Sequence, residues 1–392
     1  MLSVLALVSK RPGISPGQRF RLEQWEPHLR QNHGIALSFE AFESDALTDV
    51  LYAPGRRAEK AALVVKDFLR RRHAIASASS FDAVVMYREA SLIGPALYER
   101  VLAHRRVPFL VDFDDAIWLN DPRLLRGANG LFSLLRFPGK LRSICRLASA
   151  VTVGNEYLAS WARTHNPGVF VVPTSIDLAR FPLQKLPEDG DTLHVVWTGS
   201  HSTLTHLDSV RGAFERLAHK RRVELHVICD RPQARPFAGV TTHFLRWEAA
   251  REAEQLAAGH VGIMPLPDDA FARGKCGCKA LQYMAVGMPA VVSPVGVNVD
   301  IVHEGDNGML AKTEDDWVAS LDRLAGSPGL RARLGAAGRK TVEDAYSSVA
   351  SAARFAAAVE HAIRVAGTPE VRAKLAGRAA SGPLRDEEAR HA

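Results

Sequence analysis

One span of the chain concentrates the side chains that could do chemistry. Residues 272–298, ARGKCGCKALQYMAVGMPAVVSPVGVN, place Arg273, Lys275 and Lys279 beside Cys276 and Cys278. Three chemistries compete for that set. A zinc site needs four ligands, and the C-x-C pair has no second pair to complete it, so two small buried residues is the stronger reading. A P-loop needs Ser or Thr after Gly-Lys and an earlier glycine, and Gly274-Lys275 has neither. A metal-free phosphate cradle fits best. The helical pattern KALQYMAVG begins at Lys279, and a helix start offers open backbone N–H groups and the positive end of the helix dipole. Lysines there add point charge for a diphosphate. Gly287 and Pro289 end the helix, Ala290–Ser293 reads as a strand, and Pro294–Gly296 reads as a tight loop at its carboxyl end.

Acidic and basic residues gather at four other places. VDFDDAIW (111–118) sets Asp112 and Asp114 in alternation, with Asp115 opening the loop. A D-x-D grip on Mg²⁺ or Mn²⁺ is one reading, and a cap for the next helix is another. SPGQRFRLEQW (15–25) carries Gly17, which permits close backbone approach, and Arg19 and Arg21, which could meet anions. A helix start with solvated arginines explains it equally well. Arg88 and Glu89 follow a strand end, free to hold an acceptor or each other. Asn155 opens a helix after another strand, as a plain N-cap or as a ligand contact.

These residues need elements to position them, and the hydrophobic pattern supplies those. Strands are expected at Leu2–Val8, Ala83–Tyr87, Phe109–Phe113, Ala150–Val153 and Val169–Val172. The rhythm restarts at Leu193–Trp197 and runs on through Val223–Ile228, Thr241–Phe244, Val261–Pro265 and Ala290–Ser293. Strands alternating with helical patterns mean parallel sheets covered by helices. The polar segment PLQKLPEDGDT (182–192) divides the two runs. The expected α/β architecture is two Rossmann-like domains, 1–180 and 190–345, facing a central cleft, because ligands sit beyond the carboxyl ends of parallel strands. A helix at 346–366 is expected to pack back on the first domain, followed by a flexible tail over 367–392.

A length of 392 residues suits two domains, and 47% hydrophobic residues suffice for two cores. The net charge of +7 favours an anionic partner without choosing one. No aromatic–basic motif of the usual nucleic-acid-binding kinds is present, so nucleic acid is not expected. Four cysteines do not make the disulfide framework of a small secreted domain, which points to a reducing cytoplasm. The opening MLSVLALVSK is short and lacks a basic start, so it reads as a strand rather than a signal peptide. No apolar run reaches the length of a membrane span. The basic segments RRAEKAALVVKDFLRRRH (56–73) and GANGLFSLLRFPGKLRSICRL (127–147) could lie on an anionic membrane surface, peripherally at its inner face, or pack as core helices with basic outer faces.

At this point the sequence resembles a known family. Residues 264–296 resemble the nucleotide-binding segment of GT-B-fold glycosyltransferases of the large retaining group called family 4, or glycosyltransferase group 1. Met284-Ala285-Val286-Gly287-Met288-Pro289 matches that segment's ending. The family's two glutamates, eight positions apart, are replaced by Gly274 and Gln282. HVVWTGSHSTLTHL (194–207) resembles the first strand and phosphate loop of the donor domain, VELHVICDRP (223–232) its next strand, and residues 244–267 the base-binding loop, helix and strand. His303–Gly308 resembles the loop after the last of these strands. The likeness covers most of residues 190–345.

The resemblance implies a retaining, metal-independent hexosyltransferase with no cofactor, moving sugar from a nucleotide-sugar to a glycan or lipid-linked acceptor, as in polysaccharide biosynthesis. It implies Gly199, Ser200, Arg273, Lys275, Lys279 and Gly17 at the donor phosphates, with Lys275 and Lys279 stabilising the leaving diphosphate and Gln282 at the ribose. Asp114 stands where relatives carry a histidine, as an orienting group or a base. Arg19, Arg88, Glu89, Asp115 and Asn155 are the acceptor-side candidates. Two alternatives stay open: a GT-B nucleotide-sugar epimerase, and a non-catalytic nucleotide-sugar-binding protein.

Overall fold

The computed structural model describes every residue except 52, 54, 120–136, 138, 234 and 382–392. The chain divides into two compact units, Met1–Pro173 with Ser351–Ala392, and Thr174–Ala350.

The first unit holds a six-stranded sheet of order β2-β1-β3-β4-β5-β6. The strands are β1 (Leu2–Val8), β2 (Ile35–Ala41), β3 (Ala83–Tyr87), β4 (Phe109–Phe113), β5 (Ala150–Val153) and β6 (Val169–Val171). Every pairing is parallel. The central strands β3, β4 and β5 are buried at every residue, as strands covered on both faces must be. The edge strand β2 carries Ser38 and Glu40 outward, which hid it from a search for apolar runs.

The second unit repeats the architecture in the order β12-β11-β10-β7-β8-β9. Its strands are β7 (Thr192–Thr198), β8 (Arg222–Cys229), β9 (Thr241–Arg246), β10 (Val261–Met264), β11 (Ala290–Val292) and β12 (Met309–Leu310). They too pair only in parallel. One core face packs Leu193, Val195 and Trp197 of β7 with Val223, Leu225 and Val227 of β8. The two-residue β12 is too short to leave a periodic signal.

The Ser348–Ala366 helix joins the first unit's core, where Phe355 lies 5.2 Å from the Trp25 ring centre and Val359 and Ile363 share a cluster with Leu2 and Val4. The expected flexible tail is corrected over part of its length. Pro369–Ser381 is a helix. Leu375 is buried in the same core, and Lys374 Nζ meets Asp82 Oδ2 at 2.5 Å. One apolar contact per turn plus an ion pair was too sparse a signal beside the many Ala and Gly residues. The basic 56–73 segment forms the helix Arg57–Ser77, which packs Val64 against Phe42 and Leu47 and leaves Val65 and Leu69 half exposed. Of the 127–147 segment, residues 127–136 and 138 lie outside the described residues; Lys140–Leu147 is helical. Among the described residues no helix is long and apolar enough to cross a membrane.

A buried ion pair organises the first sheet. Arg21 and Asp112 are both fully inaccessible, and the guanidinium grips the carboxylate with two bonds, Nη2–Oδ1 at 2.6 Å and Nε–Oδ2 at 3.1 Å. Thr152 of β5 donates to Oδ1 at 2.6 Å, and Arg21 Nη1 donates to the Val172 carbonyl. The anion that Arg21 meets is therefore internal, and Asp112 is not placed to grip a metal. Removing one partner leaves a buried charge uncompensated. Asp112→Ala should cost about 3–5 kcal/mol in urea unfolding. The double variant Arg21→Met/Asp112→Leu, with both charges gone, should recover part of that loss.

Candidate functional site

In the second unit the two segments expected at a diphosphate meet on one aromatic ring. Lys279 lies in the first turn of the helix Cys278–Ala285, and its Nζ sits 5.7 Å from the centre of the Trp197 ring. Gly199, just past β7, packs on the same indole: a Cβ there would come within 2.6 Å of the ring. Only a residue without a side chain lets this backbone lie so close. Ser200 follows, its Oγ 2.8 Å from Ser202 Oγ and its carbonyl accepting from Thr203 N–H at 2.9 Å. Gly277 stands at the N-cap of that helix in the left-handed region, at φ 67°.

The end of that helix is as well defined. Gly287 N–H donates to the Met284 carbonyl and Met288 N–H to the Tyr283 carbonyl, both at 3.0 Å, with Gly287 at φ 83°. This is the paired closure a C-terminal glycine makes. Arg339 adds a 2.6 Å bond to the Ala285 carbonyl. Tyr283 then fixes the helix to the sheet. Its hydroxyl donates to the Ile263 carbonyl at 3.0 Å and accepts from Thr198 N–H at 3.1 Å, so one side chain joins β10 to the carboxyl end of β7. Burial pushes the Tyr283 phenol up, and it stays neutral. Gly262 makes room for the ring: a Cβ would stand 2.2 Å from it.

The other donor-side residues are placed differently from one another. Lys275 Nζ lies 4.7 Å over the Phe271 ring. Arg273 makes a 2.7 Å ion pair with Asp268 across an exposed surface. Gln282 is buried, and its Nε2 donates to Glu252 Oε1 at 2.8 Å. Trp247 Nε1 donates to the same oxygen at 3.1 Å. Glu252 is thus the residue that sequence reasoning missed. It opens the short helix Glu252–Leu256 and lines a hollow with Arg180, Phe181, Ala249, Ala250 and Ala253. Its only signal was an acid in a first helical turn, thirty positions from the residue it contacts. Cys276 and Cys278 donate to the Gly274 carbonyl and Gln282 Oε1, which fits their reading as packed thiols. His201, in the segment expected to form a phosphate loop, is held by Asp230 at 2.7 Å.

In the first unit a second cluster forms at the carboxyl ends of β3 and β4. Asp114 Oδ1 accepts from Tyr87 Oη at 2.9 Å and from Arg88 Nη2 at 2.8 Å. The same Nη2 reaches Asp115 Oδ2 at 2.7 Å. Arg88 takes a left-handed φ of 70° to do this, and its N–H donates to the Asp112 carbonyl at 2.7 Å. Gly17 closes over the group: a Cβ would stand 2.1 Å from Tyr87 Oη and 3.0 Å from Asp114 Oδ2. Burial acts to raise the Asp114 carboxyl, but the Arg88 charge and hydrogen bonds outweigh it and hold the group below the usual carboxylate range. A base in that state is weak at neutral pH, so the geometry suits Asp114 to orienting a hydroxyl.

Of the acceptor-side candidates, Arg88 and Asp115 join Asp114, while Glu89 pairs with Lys140 at 3.1 Å rather than with Arg88. Arg19 is buried at 1% exposure, its guanidinium 4.9 Å over the Phe20 ring. Asn155 caps the helix Glu156–Arg163, accepting from Leu158 N–H at 2.9 Å.

Comparison with known proteins bears on the fold. Residues 192–327 match the family described as Glycosyl transferases group 1. The whole chain is similar in fold to sucrose-phosphate synthase from Thermosynechococcus elongatus, at 14% identity and a TM-score of 0.66, covering 96% of this chain and all of that one. It is also similar to a glycosyltransferase from Rickettsia africae, at 12% identity, TM-score 0.63, and 93% and 99% coverage. HepE of Anabaena, solved with UDP and glucose, matches at 13% identity, TM-score 0.60, and 91% and 99% coverage. No curated protein sequence matches the chain. The fold is that of the GT-B glycosyltransferases.

Gly17→Ala should overpack the site and cost about 1–3 kcal/mol in urea unfolding; adding Tyr87→Phe, which removes the obstructing hydroxyl, should recover part of it. Asp114→Asn should be less stable than the wild type at pH 7. A carboxyl depressed in the folded state contributes stability above its unfolded pKa and loses it as pH falls through the folded one. The gap in melting temperature should therefore close only below about pH 4.

Proposed function

We propose that this protein transfers a hexosyl group from a nucleotide-sugar to a glycan or lipid-linked acceptor, with retention at the anomeric carbon and without a bound metal at the phosphates. The observation that carries the reading is the convergence of the Gly199 loop and the Lys279 helix start on Trp197. Backbone N–H groups, a helix dipole and a lysine there suit a diphosphate whose negative charge grows as the sugar leaves. Lys275 adds charge from the preceding turn. Gln282 and Glu252 together offer the polar edge for a ribose, with Glu252 supplying the carboxylate that Gln282 lacks. On the acceptor side Asp114, held by Arg88 and Tyr87, orients a hydroxyl. Metal independence is supported by the state of the D-x-D pair, since both carboxylates are already engaged by arginines. A site at a membrane surface fits the basic outer face of the Arg57–Ser77 helix.

The test is melting temperature against UDP, GDP and ADP and their sugar conjugates, with EDTA or Mg²⁺. UDP comes first, because a protein of the same fold was solved with it. One diphosphate should raise the melting temperature, and EDTA should not remove the effect. Lys279→Ala should lower kcat/KM about 100-fold, the scale for losing one charge-stabilising donor. A nucleotide shift seen only with Mg²⁺, or normal turnover by the variant, would overturn the assignment. Turnover without any acceptor would mean epimerisation instead.

A further inference from the structure

Away from the phosphate loop, the second sheet carries a compact group of imidazoles. His194 of β7, Glu224 and His226 of β8, and His243 of β9 alternate with the core residues Leu193, Val195, Val223, Leu225 and Val227, so they share the opposite face. Register brings them together: His194 stands opposite Glu224, and His226 opposite His243. His194 Nδ1 lies 3.1 Å from His226 Nε2 and 3.5 Å from Glu224 Oε2. One ligand atom from each of the three falls within 4.8 Å of the others. Around tetrahedral zinc, with bonds of about 2.1 Å, neighbouring ligand atoms stand roughly 3.4 Å apart. The spacing is that of a coordination shell already half drawn in.

The surroundings are those of a second shell. His243 Nε2 meets Glu224 Oε2 at 2.9 Å and its ring stacks on His226, with centres 4.8 Å apart and planes 19° from parallel. His260 lies on the other side: its Nδ1 accepts from the His194 backbone N–H at 3.2 Å, and its ring stands edge-on to the His194 ring with centres 5.1 Å apart. Metal-ligating groups characteristically carry such orienting partners. Two imidazoles and a carboxylate are a borderline-soft set that suits zinc-class divalent ions over Mg²⁺ or Ca²⁺.

We propose that His194 Nδ1, His226 Nε2 and Glu224 Oε2 bind one zinc-class divalent cation, with a fourth position open and His243 orienting the carboxylate. The ion cross-links β7 to β8 near the middle of the second sheet. It belongs to the scaffold and takes no part in holding the donor phosphates, so it stands whether or not the nucleotide reading does.

The test uses the full chain without a histidine tag, stripped with EDTA and titrated calorimetrically with zinc chloride. One equivalent should bind, and cobalt(II) at the same site should give the intense visible bands of a four-coordinate ion. His226→Gln and Glu224→Gln should each weaken zinc binding at least tenfold, and His243→Gln about tenfold. His104→Gln, an exposed histidine elsewhere, should change nothing. Glu224 lies at the rim of the cluster, so its variant should keep the wild-type circular dichroism even where His226→Gln does not fold. No equimolar uptake, or uptake unchanged in the folded Glu224→Gln protein, would overturn the proposal.

Discussion

The first unit depends on one desolvated charge pair. Taking Arg21 and Asp112 out of water is costly, and the cost is offset only when each polar atom is met. Two guanidinium–carboxylate bonds, the Thr152 hydroxyl and the Val172 carbonyl meet that condition across three elements. The helical segment Arg19–Glu23 is thereby tied to β4, β5 and the residue after β6. Gly17 lies four residues before Arg21, and Asp114 lies two residues after Asp112. The pair thus sets where the glycine and the carboxylate face each other.

The second unit ties its central strands through a neutral buried hydroxyl. The Tyr283 hydroxyl joins the end of β7 to β10, and Gly262 gives its ring space. A helix proposed to hold phosphate at its N-terminus must be fixed along its whole length, because a dipole serves only if it does not turn away. The glycine closure at Gly287 and the Arg339 bond to the Ala285 carbonyl fix the far end. Trp197 fixes the near end by offering one surface to both Gly199 and Lys279. In each unit an aromatic side chain, Tyr87 or Trp197, is what a close-packed glycine leans on.

Much of this was legible in the chain. Strands buried on both faces leave continuous apolar runs, so ten of the twelve were visible, and their alternation with helical patterns gave two parallel sheets. The edge strand β2 and the two-residue β12 escaped because one is half polar and the other too short. The helix at Lys279 and its stop at Gly287 and Pro289 were plain, since capping is local chemistry. The Pro369–Ser381 helix was not, because its support comes from Asp82 and the first unit's core, far away in sequence.

What the sequence determined alone was local: most of the element types, the two ends of the Lys279 helix, the close approach at Gly17, and a family likeness carried by residues 264–296. What only the tertiary structure decided was partnership. Arg21 in the 15–25 segment and Arg88 past a strand end both read as cations that could meet a ligand, yet one is buried against Asp112 and the other bridges Asp114 and Asp115. Glu252 comes to Gln282, and three histidines and a glutamate from three strands come to one sheet face. The reason is physical. Propensity and capping act over a few residues, but an ion pair or a ligand set is made by strand register and sheet order. Those are settled when the whole core packs, not by any segment on its own.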